Sequence, residues 1–195
     1  MRITAAPLLL SVALFASSAL SAVDVTVVTD ATWKVTNPAP SAGWNTDVDF
    51  DDSSWVNAFK NPSGDNIWMT SNMSGQAPNQ VWFRHVFTLN GTVASAVGDF
   101  YFDDNGQNYL NGHLLIDDTG GGATNFNGVA IDPSWFVVGQ NLFAIHGIDT
   151  IAPFAAVAAN MQITLVPEPS GLVLAIFAAA GIFLRRKPCR RAASK

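Results

Sequence analysis

Carboxylates are numerous in this chain, and six of the 15 fall in two clusters. Asp47, Asp49, Asp51 and Asp52 crowd the segment before Trp55, and Asp103 and Asp104 precede Asn105. Dense oxygen ligands suit calcium, yet neither stretch has the spacing of a calcium loop closed by a glutamate at its twelfth position. Aspartate also accepts hydrogen bonds from nearby backbone N–H groups. Solvated turn carboxylates are therefore the preferred expectation, with structural calcium as the second. Glycoside hydrolysis needs two carboxyls facing each other across a cleft. Adjacent strand residues point to opposite faces, so Asp103 and Asp104 cannot form that pair by themselves. His85, His113 and His146 lack HxH or HxxxH spacing, and His85 and His146 fall within strand patterns, which points to structural histidines rather than zinc ligands. Gly120–Gly122 has no following lysine and helix, so it is a flexible loop and not a phosphate cradle. No catalytic residue is assigned, no metal ligand is assigned, and the expectation is a protein that is not an enzyme.

The aromatic residues point to binding instead. Six Trp and two Tyr lie among polar loops, and sugar rings stack on aromatic faces while Asn and Asp bond their hydroxyls. Trp44, Trp68 and Tyr109 are flanked by Asn, Ser, Gly or Asp and are the expected ligand-binding positions. The competing expectation for any single Trp is that it anchors a long loop to the core.

The elements that must position these residues are strands. Val81 to Leu89 places Val81, Phe83, Phe87 and Leu89 on one face and Arg84 and Thr88 on the other. Asp99 to Asp103 alternates in the same way. Gln107–Leu110 and His113–Ile116 flank Asn111-Gly112, a two-residue hairpin turn in which both positions need positive φ. Asn141 to Ile148 and Val157 to Val166 are further strands, and Asp132 to Phe136 is a turn or short helical turn. Between Trp33 and Gln80 the prolines, Asn, Ser and Gly predict long loops pinned by Trp33, Trp44, Trp55 and Trp68. Many short strands separated by turns predict an all-β fold, a β-sandwich or jelly roll, spanning residues 23–166.

Both ends of the chain read as addresses. Met1-Arg2, an apolar run from Ala5 to Ala16 and the small residues Ser17 to Ala22 predict a secretory signal peptide over residues 1–22, cut after Ser21 or close to it. Near the other end, Gly171 to Leu184 carries no charge, and five of the next seven residues are Arg or Lys. At about 1.5 Å per residue these 14 residues reach roughly 21 Å as a helix, short of the ~30 Å hydrocarbon core. The basic cluster that follows suits a cytoplasmic interface, so a transmembrane helix is expected there. Between the two signals, Val23 to Val166 holds 14 Asp against Lys34, Lys60 and Arg84, a net charge of −11. Such a surface repels phosphate backbones, so no nucleic-acid partner is expected. The single cysteine, Cys189, lies in the basic tail, so the exported part must hold together without a disulfide.

Two resemblances follow from these residues. Val166-Pro167-Glu168-Pro169, the apolar segment and the basic stop led by Arg185 and Arg186 closely resemble the PEP-CTERM sorting tail of Gram-negative bacteria. That resemblance implies export, transient anchoring in the membrane, cleavage by an exosortase, and release or transfer to the cell surface or extracellular matrix. Phe50-Asp51-Asp52-Ser53-Ser54-Trp55, Val81 to Phe87, Asp103 to Gly112 and Val138 to Ile145 look like the galactose-binding-like jelly-roll domains that accompany many glycoside hydrolases. Some relatives of that fold carry a structural calcium. The expectation is a non-catalytic glycan-binding module acting at the cell surface or in the extracellular polysaccharide. Its alternatives are a structural or adhesion protein of the matrix and a glycan-active hydrolase.

Overall fold

The computed structural model describes residues 22–69, 79–150 and 154–166. The leader, and the tail with Pro167, Glu168, Pro169, Arg185 and Arg186, lie outside the described residues, as does the expected transmembrane segment 171–184. Among the described residues no helix is long and apolar enough to cross a membrane.

The described chain is all-β. It runs through β1 (Val23–Val28), β2 (Lys34–Thr36), β3 (Val56–Asn57), β4 (Phe59–Lys60), β5 (Ile67–Trp68), β6 (Gln80–Leu89) and β7 (Val93–Asp103). It continues through β8 (Asn105–Leu110), β9 (His113–Asp118), β10 (Thr124–Ile131), β11 (Gly139–Ile148) and β12 (Ala156–Leu165). One antiparallel sheet has the order β10-β7-β12-β5-β4, with β1 also bonded to β12. The other has the order β3-β2-β6-β11-β8-β9. The long strands are those whose apolar residues alternate, and the two form a sandwich because each has one apolar face to bury.

Phe100, Phe102, Val157, Met161 and Ile163 from the first sheet meet Val81, Phe83, Leu110, Phe143 and Ile145 from the second, all at 2 % exposure or less. Burying a side chain of this size contributes roughly 1.5–3 kcal/mol, which lets a core of this extent stand without disulfides. Trp33 is fully buried beside them, stacked on His85 with centroids 5.0 Å apart and edge-on to Phe143. Its indole N–H donates to the Val28 carbonyl at 3.1 Å. Trp33 and Trp55 thus anchor their loops to the core, as expected of them.

The Asn111-Gly112 turn forms as its residues require, with φ of 49° and 84° and Leu110 paired to His113. The Asn111 side chain ties the tip down. It donates to the Trp135 carbonyl and to Asn141, and accepts from the Leu142 N–H, all at 2.8 Å. Beyond it, Asp132 caps the 3-10 turn Pro133–Trp135 by accepting from the Ser134 N–H. A Cβ at position 112 would stand 2.6 Å from the Thr46 methyl. Gly112→Val is therefore expected to lower stability by about 1–3 kcal/mol, through positive φ and this clash. Urea denaturation of the variant checks it, and an unchanged midpoint would contradict the turn assignment.

Candidate functional site

Antiparallel pairing puts directly opposed residues on the same face of a sheet, so the registers define the outer surface of the second sheet. One row across it reads Asp117, Gln107, His146, Trp82 and Thr36; the next reads Tyr109, Ala144, Arg84 and Lys34. Hydrogen bonds link the first row to its neighbours. Tyr109 Oη donates to Gln107 Oε1 at 2.8 Å, and Gln107 Nε2 donates to Asp117 Oδ1 at 3.0 Å. His146 stacks on Trp82 at 4.6 Å with the rings nearly parallel, and its Nε2 lies 3.2 Å from Gln80 Oε1. Burial, then the Asp117 charge, pushes the Tyr109 phenol up from its ordinary value, so Tyr109 stays a neutral donor across the physiological range.

The loop from Gly43 to Trp55 lies over this face, and Arg84 holds it there. Arg84 is on the outer side of β6 together with Thr88, as its position in the strand predicts, but it is 1 % exposed. Its Nε donates to Asp52 Oδ2 at 3.0 Å, Nη2 to the Asp47 carbonyl at 3.0 Å and Nη1 to the Trp44 carbonyl. The Phe50 ring lies 5.0 Å from the guanidinium carbon and adds a cation–π contact. By fixing the Trp44 carbonyl, Arg84 sets where the Trp44 ring falls. That ring meets Tyr109 edge-to-face at 5.7 Å, and both residues remain partly exposed. The result is an aromatic corner beside an amide, a carboxylate and an imidazole.

Two of the three expected binding residues, Trp44 from the Gly43–Trp55 loop and Tyr109 from β8, thus come together although 65 positions apart. Trp68 does not join them. It is 3 % exposed and packs against Phe83 and over Gly147, where a Cβ would stand 2.9 Å from its ring. Trp68 is a core residue, because its strand β5 belongs to the first sheet, paired with β12 and β4, and its ring is buried between the sheets. The other members of the corner, Gln107, Asp117, His146 and Arg84, were not expected from sequence. Val166, where the expected sorting motif begins, directly follows β12, is 47 % exposed, and donates its N–H to the Thr92 carbonyl at 2.8 Å.

The first aspartate cluster does not assemble as a metal site. Asp47 and Asp51 accept from the backbone N–H groups of Asp49 and Ser53, and Asp52 holds Arg84. Asp104 is buried and accepts from the N–H and hydroxyl of Thr150, while Asp103 accepts from the Tyr101 hydroxyl. Among the described residues no group of three His, Cys, Asp or Glu side chains is placed to hold a metal ion.

No protein-family model matches the chain, and no curated protein matches it. Among solved structures it is similar to part of Bacteroides uniformis beta-glucuronidase 2, with 19 % identity and a TM-score of 0.48 over 74 % of this chain and 18 % of that one. A glycosyl hydrolase family 2 member from Bacteroides cellulosilyticus is similar at 14 % identity and a TM-score of 0.46, over 70 % of this chain and 20 % of that one. The Faecalibacterium prausnitzii beta-glucuronidase follows at 14 % identity and 0.40, over 74 % and 32 %. The chain spans less than a third of the length of each. Likeness at this level transfers neither an activity nor a ligand.

The histidine stacks make the fold acid-sensitive. Burial lowers the pKa of His85, partly offset by the Asp30 charge, and burial lowers that of His146. The folded state keeps both rings neutral, whereas the unfolded chain takes up their protons near pH 6.5. Their contribution is therefore fully present above about pH 6.5 and is lost as pH falls through the lower folded values. Asp51 and Asp132, held low by hydrogen bonds from Ser53 and Ser134, lose theirs further down, below about pH 4. Thermal midpoints should be flat from about pH 8 to 7 and fall below about 6.5. The double variant His85→Gln, His146→Gln should flatten the upper part of that fall, and an identical profile in the variant would contradict the assignment.

Proposed function

We propose that this chain is an exported, non-catalytic glycan-binding module of the galactose-binding-like jelly-roll type. On this reading the signal peptide directs export and the apolar tail holds the protein briefly in the membrane. An exosortase then cuts at the Pro167-Glu168-Pro169 motif, leaving the module at the surface or in the extracellular polysaccharide of a Gram-negative bacterium. The observation that carries the binding function is the Trp44–Tyr109 corner. Two partly exposed aromatic faces, fixed by a buried arginine, stand beside Gln107, Asp117 and His146. Aromatic faces stack on the apolar face of a sugar ring, and the flanking amide and carboxylate bond its hydroxyls. The net charge of −11 over Val23–Val166 favours neutral or basic glycans over acidic ones. With few contacts per site the affinity is low, and useful attachment comes from many displayed copies.

A glycan array probed with the full chain, with and without Ca2+, tests this. The expected result is calcium-independent binding to neutral glycans with no new reducing ends. Binding confined to acidic polymers and dependent on Ca2+ would contradict it and return the aspartate cluster as the site. Release of reducing ends would make the protein a hydrolase, and binding to no glycan would leave a structural matrix protein.

A further inference from the structure

The sandwich has a recess on the side opposite the Trp44–Tyr109 corner. A concavity of about 520 Å3 opens on the outer face of the first sheet, lined by Asn66, Asn125, Asn127, Asn160, Asp99 and Tyr101. Its volume lies within the ordinary range of small-ligand sites. The registers explain why it is there. Ala158 stands opposite Tyr101, and Tyr101 opposite Asn125, so a single methyl beside the ring leaves the sheet surface open.

Both walls are fixed from outside the recess. On one side, the turn between β4 and β5 is closed by the Asn61 N–H donating to the Asn66 carbonyl at 2.9 Å. It is braced by the Lys60–Asp65 ion pair at 3.0 Å and by the Thr29 hydroxyl donating to the Asp65 carbonyl at 2.7 Å. On the other side, β10 bulges between Phe126 and Val129. Gly128 adopts a φ of 65° there and donates its N–H to Asp99 Oδ1 at 2.7 Å. Within these walls the side-chain amides of Asn66, Asn125 and Asn127 make no hydrogen bond to any described residue.

The chemistry of the lining selects its ligand. A primary amide offers donors and an acceptor together, which matches a hydroxyl that does both. Among the described residues no Lys, Arg or His lines the recess, while Asp99 and the Lys60-paired Asp65 do. Phosphate, sulfate and uronate are therefore repelled. Tyr101 supplies an aromatic surface at the floor.

We propose that this recess is a second ligand site, taking a neutral, hydroxyl-rich glycan segment. It rests on the function proposed for the Trp44–Tyr109 corner only in its consequence. Two sites on opposite faces of two stacked sheets, whose backbones are about 10 Å apart, point away from each other, so one protein bridges two polymer chains instead of gripping one twice.

The test is affinity electrophoresis of the full chain, in a zwitterionic detergent, through gels cast with soluble neutral glucan, galactan or mannan. A second assay captures fluorescein-labelled polymer on beads coated with the same polymer. Asn125→Ala with Asn127→Ala removes two exposed amides that support no other contact, and Ala158→Phe fills the recess. Each is expected to weaken the recess site by about tenfold, and both to abolish capture on beads while leaving retardation through the other face. Trp44→Ala should likewise abolish capture, and only its combination with a recess variant should abolish retardation. Recess variants that behave as the unaltered chain would overturn the second site and leave the first standing if Trp44→Ala still loses binding. Loss with the recess variants but not with Trp44→Ala would keep the recess and remove the corner. An unaltered chain retarded by none of the gels overturns both.

Discussion

Arg84→Met should destabilise the protein by about 3–5 kcal/mol and abolish glycan binding by the Trp44–Tyr109 corner, although Arg84 is too deeply buried to touch a ligand. Methionine fills much of the same volume, so the loss comes from the polar groups. Asp52 loses its cation, and the carbonyls of Trp44 and Asp47 lose their donors. A fully buried carbonyl left without a partner costs about 1–3 kcal/mol, and these part-buried ones cost less. The Asp52 side chain keeps 26 % of its exposure and is partly rehydrated, which places the expected loss toward the lower end. Asp52→Asn should cost less, because the amide oxygen still accepts from Arg84 Nε and both carbonyls stay bonded. Urea denaturation of the two variants checks the order. Equal midpoints for Arg84→Met and the unaltered protein would mean that the Gly43–Trp55 loop holds its place without the guanidinium.

Replacing Pro167 and Glu168 together, or removing Arg185 and Arg186, should convert release into retention, with full-length protein in the membrane fraction and no trimmed form outside. Under the sorting proposal, Pro167 and Pro169, each lacking its own N–H and fixed in φ, disfavour helix at the motif and leave it open to the protease. Under the same proposal the arginines set the orientation of the short apolar segment 171–184 in the membrane. The unaltered protein recovered from the surface or medium should by intact mass lack everything from about Pro169 onward, including Cys189. Recovery of an uncut C-terminus on stably embedded protein would contradict the sorting proposal.

Much of the fold was legible because the long strands alternate and the turns use residues with few options. Val81–Leu89, Asn141–Ile148 and Val157–Val166 each fall within or at the edge of an observed strand, and Asn111-Gly112 forces its hairpin. β1 goes unpredicted, and the span between Trp33 and Gln80, where the sequence predicts loops, contains four strands of two or three residues. Strands that short carry no measurable period, and only their pairing partners define them. Trp68 shows the same limit. By sequence it resembles Trp44, another Trp among Asn, Ser and Gly, and the difference is that β5 pairs with Val157 beneath the core. The burial of Arg84 could not be read from the alternation that placed it outward, since a loop 32 residues earlier supplies its cover. Asn125 and Asn127 likewise look like ordinary surface residues until the bulge in β10 and the small Ala158 make them the wall of a recess.

Titration calorimetry of a neutral glycan that scores on the array, using the full chain and its Trp44→Ala and Tyr109→Ala variants, tests the glycan-binding claim most directly. Removing either aromatic face should weaken the corner site by about tenfold or more, as expected for a central aromatic contact. Because the rings position each other at 5.7 Å, the double variant should lose less than the sum of the single losses. Unchanged enthalpy and affinity in both single variants, with the fold intact by circular dichroism, would contradict the assignment of this corner as a glycan site.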